Sequence, residues 1–328
     1  MKYLFAQAGR VAATAAVAAL AALPGIATAQ DYPSRPIRLL VGYTPAGAAD
    51  YVARMFGEAL SKELGQTVLV DNKPGAGSTL ASAALAQAAP DGYTLGLATA
   101  TLYGIDQQLY KARYKATDFT PITRLTVSPL ILAVNKNLNI ADVKGLVARA
   151  KAQPGKFNYS SSGIGGSPHI AGLQFEKATG VHMTHVPYKG GAPALQAVAA
   201  GEVELSFGTA SSVLPMGTQG IVKMIGVTTS QPSAVAPGLP ALAQAGLPGF
   251  EFTFWFGLYG PAGLPAEIRD KLFAAASKVM ADPQLRAKLA SNGSEVSTSA
   301  SPAEFGKWAG VDGKSALERI AQAGVKLD

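Results

Sequence analysis

The feature that most constrains the fold of this chain is the alternation of short apolar strands with helices. Residues 37–41 (IRLLV) predict a strand, a Gly/Pro-rich loop follows, and apolar residues then recur at helical spacing as far as Gly65. Further strands are predicted at 67–70 and 93–98. These strands are continuous apolar runs, which is typical of a parallel sheet covered on both faces. Connections in such a sheet are right-handed crossovers, so the sequence predicts an α/β fold.

A second strand–helix unit is predicted in the middle of the chain. The expected strands lie near 129–137, 157–161, 183–188, 203–207 and 223–229. The expected helices lie at 140–152, 168–179 and 193–200, and the C-terminal part adds helices at 265–281, 283–291, 302–308 and about 313–323. A chain of this length is expected to form two domains. We assign residues 31–126 and 229–328 to domain 1 and residues 127–228 to domain 2.

The first 29 residues have the pattern of a secretory signal peptide. Lys2 and Arg10 flank the start of an apolar core at residues 11–23, which is too short to span a bilayer. Ala27-Thr28-Ala29 supplies the small residues of a cleavage site. We therefore expect an exported protein that is cleaved near Ala29.

Charge and cysteine content exclude several function classes. Lys and Arg number 28 against 21 Asp and Glu, a net charge of +7 that fits nucleic acid, an ordinary solvated surface or an anionic small molecule and does not by itself decide between them. No run of basic residues with interleaved aromatics is present, so we expect no nucleic-acid partner. The chain has no cysteine, which excludes disulfides and cysteine–metal sites. We expect neither a metal nor a cofactor.

Gly-rich loops lead from predicted strands into predicted helices in both units. Residues 42–49 precede a helix at Asp50, and residues 160–166 precede a helix that Ser167 is predicted to cap. Residues 72–77 (NKPGAG) form another such loop. Helix N-termini present backbone N–H groups to anions, and ligands of open α/β sheets bind beyond the carboxyl ends of the strands. The sequence therefore predicts a cleft that binds an anion.

Catalytic motifs are not found in this sequence. His169, His182 and His185 do not occur in a zinc-binding spacing, and residues 165–169 lack the closing glycine of a nucleophile elbow. We therefore predict binding without turnover and no catalytic residue. A Ser/His hydrolase that uses Ser161 or Ser162 with His169 is the alternative from another function class.

Six stretches, in order, resemble one known receptor family over essentially the whole mature chain. They are YPSRPIRLLVGYTPAGAAD, VDNKPGAGSTLASAALAQAAPDGYTL, FTPITRL, KFNYSSSGIGGSPHIAG, THVPYKGGAPALQAVAAGEVELSF and WFGLYGPAGLPAEI. The chain resembles the extracytoplasmic solute receptors of tripartite tricarboxylate transporters, the Bug-type receptors of proteobacteria. The resemblance implies a type II periplasmic-binding-protein fold, with two doubly wound α/β domains joined by two crossing strands.

The resemblance also implies a periplasmic location, a small carboxylate ligand and the membrane subunits of a transporter as partner. We expect a monomer. The alternative partner is a membrane sensor kinase to which the receptor reports its ligand.

The resemblance implies that both Gly-rich loops and their neighbours bind the ligand. The predicted ligand-binding residues are Tyr43, Thr44, Ala46, Gly47, Ala48, Ala49, Asp50, Thr99, Thr101, Ser161, Ser162, Gly163, Ser167, His169, Tyr188 and Gly208. Gly208 stands where many relatives carry Asp, which argues against an amino-acid ligand and is expected to open space. We therefore expect a dicarboxylate with a larger or more apolar body, such as an aromatic diacid.

Overall fold

Ten strands form one sheet in the part of the chain that the computed structural model describes, residues 32–233 and 235–322. The contacts divide the chain after Ser34, and the fold belongs to the unit that begins at Arg35. The predicted signal peptide lies outside the described residues. The strands are β1 (Ile37–Val41), β2 (Val68–Asn72), β3 (Thr94–Ala98), β4 (Phe119–Asn135), β5 (Asn158–Ser161), β6 (Thr184–Pro187), β7 (Leu205–Thr209), β8 (Val222–Val227), β9 (Thr253–Pro261) and β10 (Glu295–Val296).

Helices connect these strands, as the alternating pattern predicts. They are α1 (Ala48–Leu64), α2 (Thr79–Ala86), α3 (Ile105–Tyr110), α4 (Val143–Ala152), α5 (Ser167–Thr179), α6 (Gly191–Ala200), α7 (Ala210–Thr218), α8 (Ala266–Ala281), α9 (Pro283–Ser291) and α10 (Pro302–Gln322). The predicted α/β fold is confirmed.

The sheet has two halves that share the long strand β4. In the first half, β1 pairs in parallel with β2 and β3, and β9 lies antiparallel between β3 and the beginning of β4. In the second half, β5 pairs in parallel with β6 and β7, and the end of β4 lies antiparallel to β7 and β8. The partners of β4 change between Pro129 and Leu130. Since Arg35–Asp328 forms one contact unit, the predicted domain boundaries stay a prediction.

Each half buries an apolar core beneath its strands. In the first half Leu40, Trp255 and Phe305 lie in one cluster, and in the second half Ile131 and Val213 lie in another. Both clusters pack helices against the sheet, which is the reason the strands read as continuous apolar runs.

Several elements differ from the predicted ones. β4 begins ten residues before the predicted strand, because Thr, Pro and Arg residues and two register shifts interrupt its apolar pattern. Neither β9 nor α7 was predicted. In the case of α7 the reason is Pro215, because proline normally ends a helix. The two predicted C-terminal helices are the single helix α10, which continues through Gly310 and Gly313.

No helix among the described residues is both long and apolar enough to cross a membrane.

Candidate ligand-binding site

A cavity lies between the loops of the two sheet halves. The first half contributes Tyr43, Thr44, Gly47, Ala48, Ala49, Thr99, Phe254 and Phe256. The second half contributes Ser162, Ser167, Pro168, Gly190, Gly191 and Thr209.

Four helices point their N-termini at this cavity. Gly47 is the N-terminal cap of α1, Gly166 precedes α5, Gly190 caps α6 and Thr209 caps α7. The cap or the first helical residues of each helix line the cavity. The first N–H groups of a helix have no partner within it, and the helix dipole places positive charge there. The cavity is therefore suited to a negative guest, although no charged side chain is among its lining residues.

An apolar part of the cavity lining comes from β9. Phe254 and Phe256 lie on the same face of the strand, and their rings meet edge to face at 5.4 Å. Trp255, on the other face, packs against Phe305 and donates its indole N–H to Asp312 at 2.7 Å. The strand period thus gives one aromatic face to the cavity and the other to the core.

Asp50 organises the first loop from behind instead of lining the cavity. The side chain of Asp50 is 4% exposed, and it accepts hydrogen bonds from the Ala46 amide, Arg54 and Asn72 at 2.9–3.0 Å. Burial raises the pKa of Asp50, but the bonds from Arg54, Ala46 and Asn72 outweigh burial and lower it overall. Asn72 also donates to the Tyr43 carbonyl at 3.1 Å. A charged carboxylate thus holds Ala46 at a positive φ of 65° and fixes the loop before α1.

Ser161 and His169 belong to a buried cluster beside the second loop. The Ser161 hydroxyl lies 2.6 Å from Nε2 of His185, and the His185 ring stacks on the His169 ring at 3.7 Å. Nδ1 of His169 accepts the Gly165 amide at 2.9 Å, so the neutral ring carries its proton on Nε2. Burial, and then His185, lowers the pKa of His169 to about 3. In the hydrolase alternative Ser161 was to meet His169, but its hydroxyl contacts His185.

Eight of the sixteen predicted site residues line the cavity. They are Tyr43, Thr44, Gly47, Ala48, Ala49, Thr99, Ser162 and Ser167. The other eight are placed behind it or beside it: Ala46, Asp50, Thr101, Ser161, Gly163, His169, Tyr188 and Gly208. Ser167 begins α5 instead of capping it, and α1 begins two residues before Asp50.

Three more of the eight residues outside the lining have contacts of their own, in addition to those of Asp50, Ser161 and His169 described above. The Thr101 hydroxyl is 5% exposed and lies 3.4 Å from the Thr99 hydroxyl. The Tyr188 hydroxyl donates to Glu202 at 3.3 Å. A Cβ on Gly208 would lie 2.4 Å from Val213 Cγ2, so this glycine allows α7 to pack on β7.

Six lining residues were not predicted. They are Pro168, Gly190, Gly191, Thr209, Phe254 and Phe256. Gly190 and Gly191 have a recognisable signal, because they start α6 immediately after β6 as the other Gly-rich loops do. Thr209 had no such signal, since α7 itself is not apparent from the sequence.

Residues 52–307 match the family described as the tripartite tricarboxylate transporter family receptor. The structure of the R. palustris protein Rpa4515 with adipate is 30% identical, with a TM-score of 0.86 over 90% of this chain and 99% of that one. The periplasmic binding protein BugD is also 30% identical, with a TM-score of 0.84 over 90% and 99% of the two chains.

A third solved structure is similar over a comparable length. MatC (Rpa3494) from Rhodopseudomonas palustris, with bound malate, is 30% identical, with a TM-score of 0.78 over 89% of this chain and 98% of that one. The predicted receptor fold and the predicted resemblance to Bug-type receptors are confirmed. The chain therefore belongs to the family of periplasmic solute-binding receptors of tripartite tricarboxylate transporters.

Proposed function

We propose that this protein captures a dicarboxylate with an apolar or aromatic body and delivers it to the membrane subunits of a tripartite tricarboxylate transporter. The single observation that carries the proposal is the convergence of four helix N-termini on one cavity that no cation lines. Such amides bind phosphate, sulfate and carboxylate groups, and the solved relatives Rpa4515 and MatC were determined with the carboxylates adipate and malate.

Two groups of amides, one from each half of the sheet, favour two negative charges on the ligand. The amides around Gly47 and Ala48 belong to the first half of the sheet, and those around Gly190, Gly191 and Ser167 belong to the second half. A hydrogen bond to a charged group contributes about 1.5–3 kcal/mol. Four or five such bonds, after the cost of association, are enough for the ~8 kcal/mol of micromolar affinity.

The lining residues also support the choice of ligand body. Phe254, Phe256 and Pro168 give the cavity an apolar wall, and no carboxylate is present to receive an amino group. Among solved relatives, Rpa4515 was determined with adipate and MatC with malate, both dicarboxylates. An amino acid or a neutral sugar would leave either its ammonium group or its many hydroxyl groups without partners.

Calorimetric titration of the protein without its first 29 residues tests this proposal. The panel contains malate, adipate, terephthalate, citrate, aspartate and glucose. We expect micromolar affinity for adipate or terephthalate, weaker binding of malate and citrate, and no heat from aspartate or glucose. Binding of aspartate or glucose alone would refute the proposal.

Two further assays separate the alternatives. A receptor gives no steady product from a chromogenic ester, whereas a hydrolase does. Capture of the ligand-loaded protein by membrane vesicles containing the transporter subunits, and not by a sensor-kinase ectodomain, supports delivery for transport. The reverse preference would favour signalling.

A further inference from the structure

Tyr110 connects the two halves of the sheet beside the cavity without lining it. It is the last residue of α3, in the first half, and its hydroxyl donates to the Ile164 carbonyl at 2.6 Å. Ile164 belongs to the Ser/Gly loop of the second half, between the lining residues Ser162 and Ser167. The hydrogen bond therefore fixes the loop that carries the N-terminus of α5.

The Gly-rich loop at residues 72–77 (NKPGAG) does not line the cavity. It packs against the Tyr110 ring instead. A Cβ on Gly77 would lie 2.5 Å from Cε2 of Tyr110, and Gly77 has a φ of +64°. Only a glycine fits between the ring and this backbone. Burial raises the pKa of Tyr110 to about 12, so the phenol is a donor at neutral pH.

Gly165, the next residue of the Ser/Gly loop, also contacts α3 of the first half, here through apolar side chains. A Cβ on Gly165 would lie 2.6 Å from Cγ2 of Ile105 and 2.7 Å from Cδ1 of Leu109, and Gly165 has a φ of +74°. Both side chains are on α3, as Tyr110 is. The Ser/Gly loop and α3 therefore pack at backbone distance, and any side chain at Gly165 would separate them.

A second bond between halves lies at the other side of the cavity. The Thr44 hydroxyl donates to the Lys189 carbonyl at 3.3 Å, next to the α6 cap Gly190. Thr44 lines the cavity and a ligand can compete for its hydroxyl, whereas Tyr110 does not line it.

We propose that Tyr110 is a positioning residue that holds the two halves together around a bound ligand by its hydrogen bond to Ile164. The proposal rests on the proposed function for the identity of the ligand. Loss of the bond is expected to accelerate ligand release, because the halves must separate before the ligand leaves. The association rate depends on the population of the open form and is expected not to fall.

Stopped-flow binding of adipate to Tyr110→Phe tests the proposal, because phenylalanine keeps the ring on Gly77 and removes only the hydroxyl. We expect the dissociation rate to rise about three- to tenfold, with no fall in the association rate and with the melting temperature of the free protein unchanged. Gly165→Ala, which pushes α3 away from the loop, should raise the dissociation rate at least as much.

Tyr51→Phe is the matched control. Its hydroxyl also donates to a backbone carbonyl, that of Lys288 at 3.2 Å, but both residues belong to helices that pack on the first half. Equal dissociation rates in Tyr110→Phe and Tyr51→Phe would overturn the proposal.

A ligand-free measurement makes the test independent of the proposed function. Because the chain has no cysteine, Lys62→Cys on α1 and Lys151→Cys on α4 introduce two unique spin labels, one on each half. We expect Tyr110→Phe to add a population with a longer label–label distance, and Tyr51→Phe to leave the distribution unchanged. If none of the six panel compounds binds, the proposed function fails, and these distances still decide the role of Tyr110. Identical distributions in all three proteins would overturn it.

Discussion

At the scale of single residues, one electrostatic cost of the fold at neutral pH is the buried carboxyl of Asp106. The side chain is 0% exposed, and one oxygen accepts the Tyr114 hydroxyl at 2.7 Å. The other oxygen, Oδ1, has no hydrogen-bond partner in the structure. Burial raises the pKa of Asp106 from 3.8 to about 6, against the hydrogen bonds of Tyr114 and Thr101. The folded state therefore favours the neutral acid.

Asp106→Asn is expected to stabilise the protein at pH 7.5. A pKa that is higher in the folded state costs stability above about pH 6, and the cost disappears as the pH falls below the unfolded value. Asparagine is neutral and still accepts the Tyr114 hydrogen bond. We expect a gain of about 3 kcal/mol at pH 7.5 that shrinks to about 1 kcal/mol at pH 4.5, by urea unfolding. An equal change in the free energy of unfolding at pH 7.5 and pH 4.5 would mean that altered packing, and not the removed charge, causes the effect.

At the scale of elements, the sequence predicts those whose signal is local. The apolar runs predict β1 and β3, and Gly65 ends α1 in the left-handed conformation expected of a C-terminal glycine. Elements that depend on distant partners are missed: β9 pairs with β3 and β4, far away in sequence, and α7 includes a proline. The site follows the same rule. The loop before α1 holds predicted ligand-binding residues that lie in the cavity lining, whereas Phe254 and Phe256 reach the cavity through β9.

Ala48→Pro tests whether the N-terminus of α1 binds the ligand. Ala48 is the first helical residue, where proline is favoured, and the preceding Gly47 has an extended conformation with φ −88° and ψ 174°. The substitution therefore removes one N–H group from the cavity with little strain on the helix. We expect affinity for adipate to fall by about 1.5–3 kcal/mol in calorimetry, with the melting temperature unchanged.

Ala266→Pro is the matched control, since Ala266 is the first residue of α8 and follows Pro265, whose ψ of 139° is extended. Ala266→Pro should leave the affinity for adipate unchanged. If Ala48→Pro binds adipate as tightly as Ala266→Pro, the amide at residue 48 does not contact the ligand.

At the scale of the whole molecule, ligand capture and stability in acid depend on the same second loop. The Ser/Gly loop lines the cavity, accepts the Tyr110 bond and donates its Gly165 amide to His169, whose ring stacks on His185. The sequence cannot reveal this stacked pair, because His169 on α5 and His185 on β6 are sixteen residues apart and meet only in the folded chain. Burial lowers the pKa of His185 to about 4, as it lowers that of His169.

The stacked pair makes the whole molecule less stable in mild acid. As the pH falls below about 6.5, the unfolded chain binds protons at both histidines, and the folded chain does not until about pH 4. As the pH falls from 7 to 5, each histidine therefore lowers the free energy of unfolding by up to about 2 kcal/mol, whereas protonation of Asp106 raises it by only about 1 kcal/mol. We expect the free energy of unfolding to fall over this range.

His169→Asn isolates the contribution of one ring, because the asparagine oxygen can still accept the Gly165 amide. The loss of ring stacking lowers the free energy of unfolding equally at pH 7 and pH 5. The informative quantity is therefore the difference between the free energies of unfolding at these two pH values. We expect urea unfolding to show a difference smaller by about 2 kcal/mol in the variant than in the natural chain. An unchanged difference would mean that His169 already binds its proton in the folded state above pH 5. The stacked neutral pair would then not be the source of the acid sensitivity.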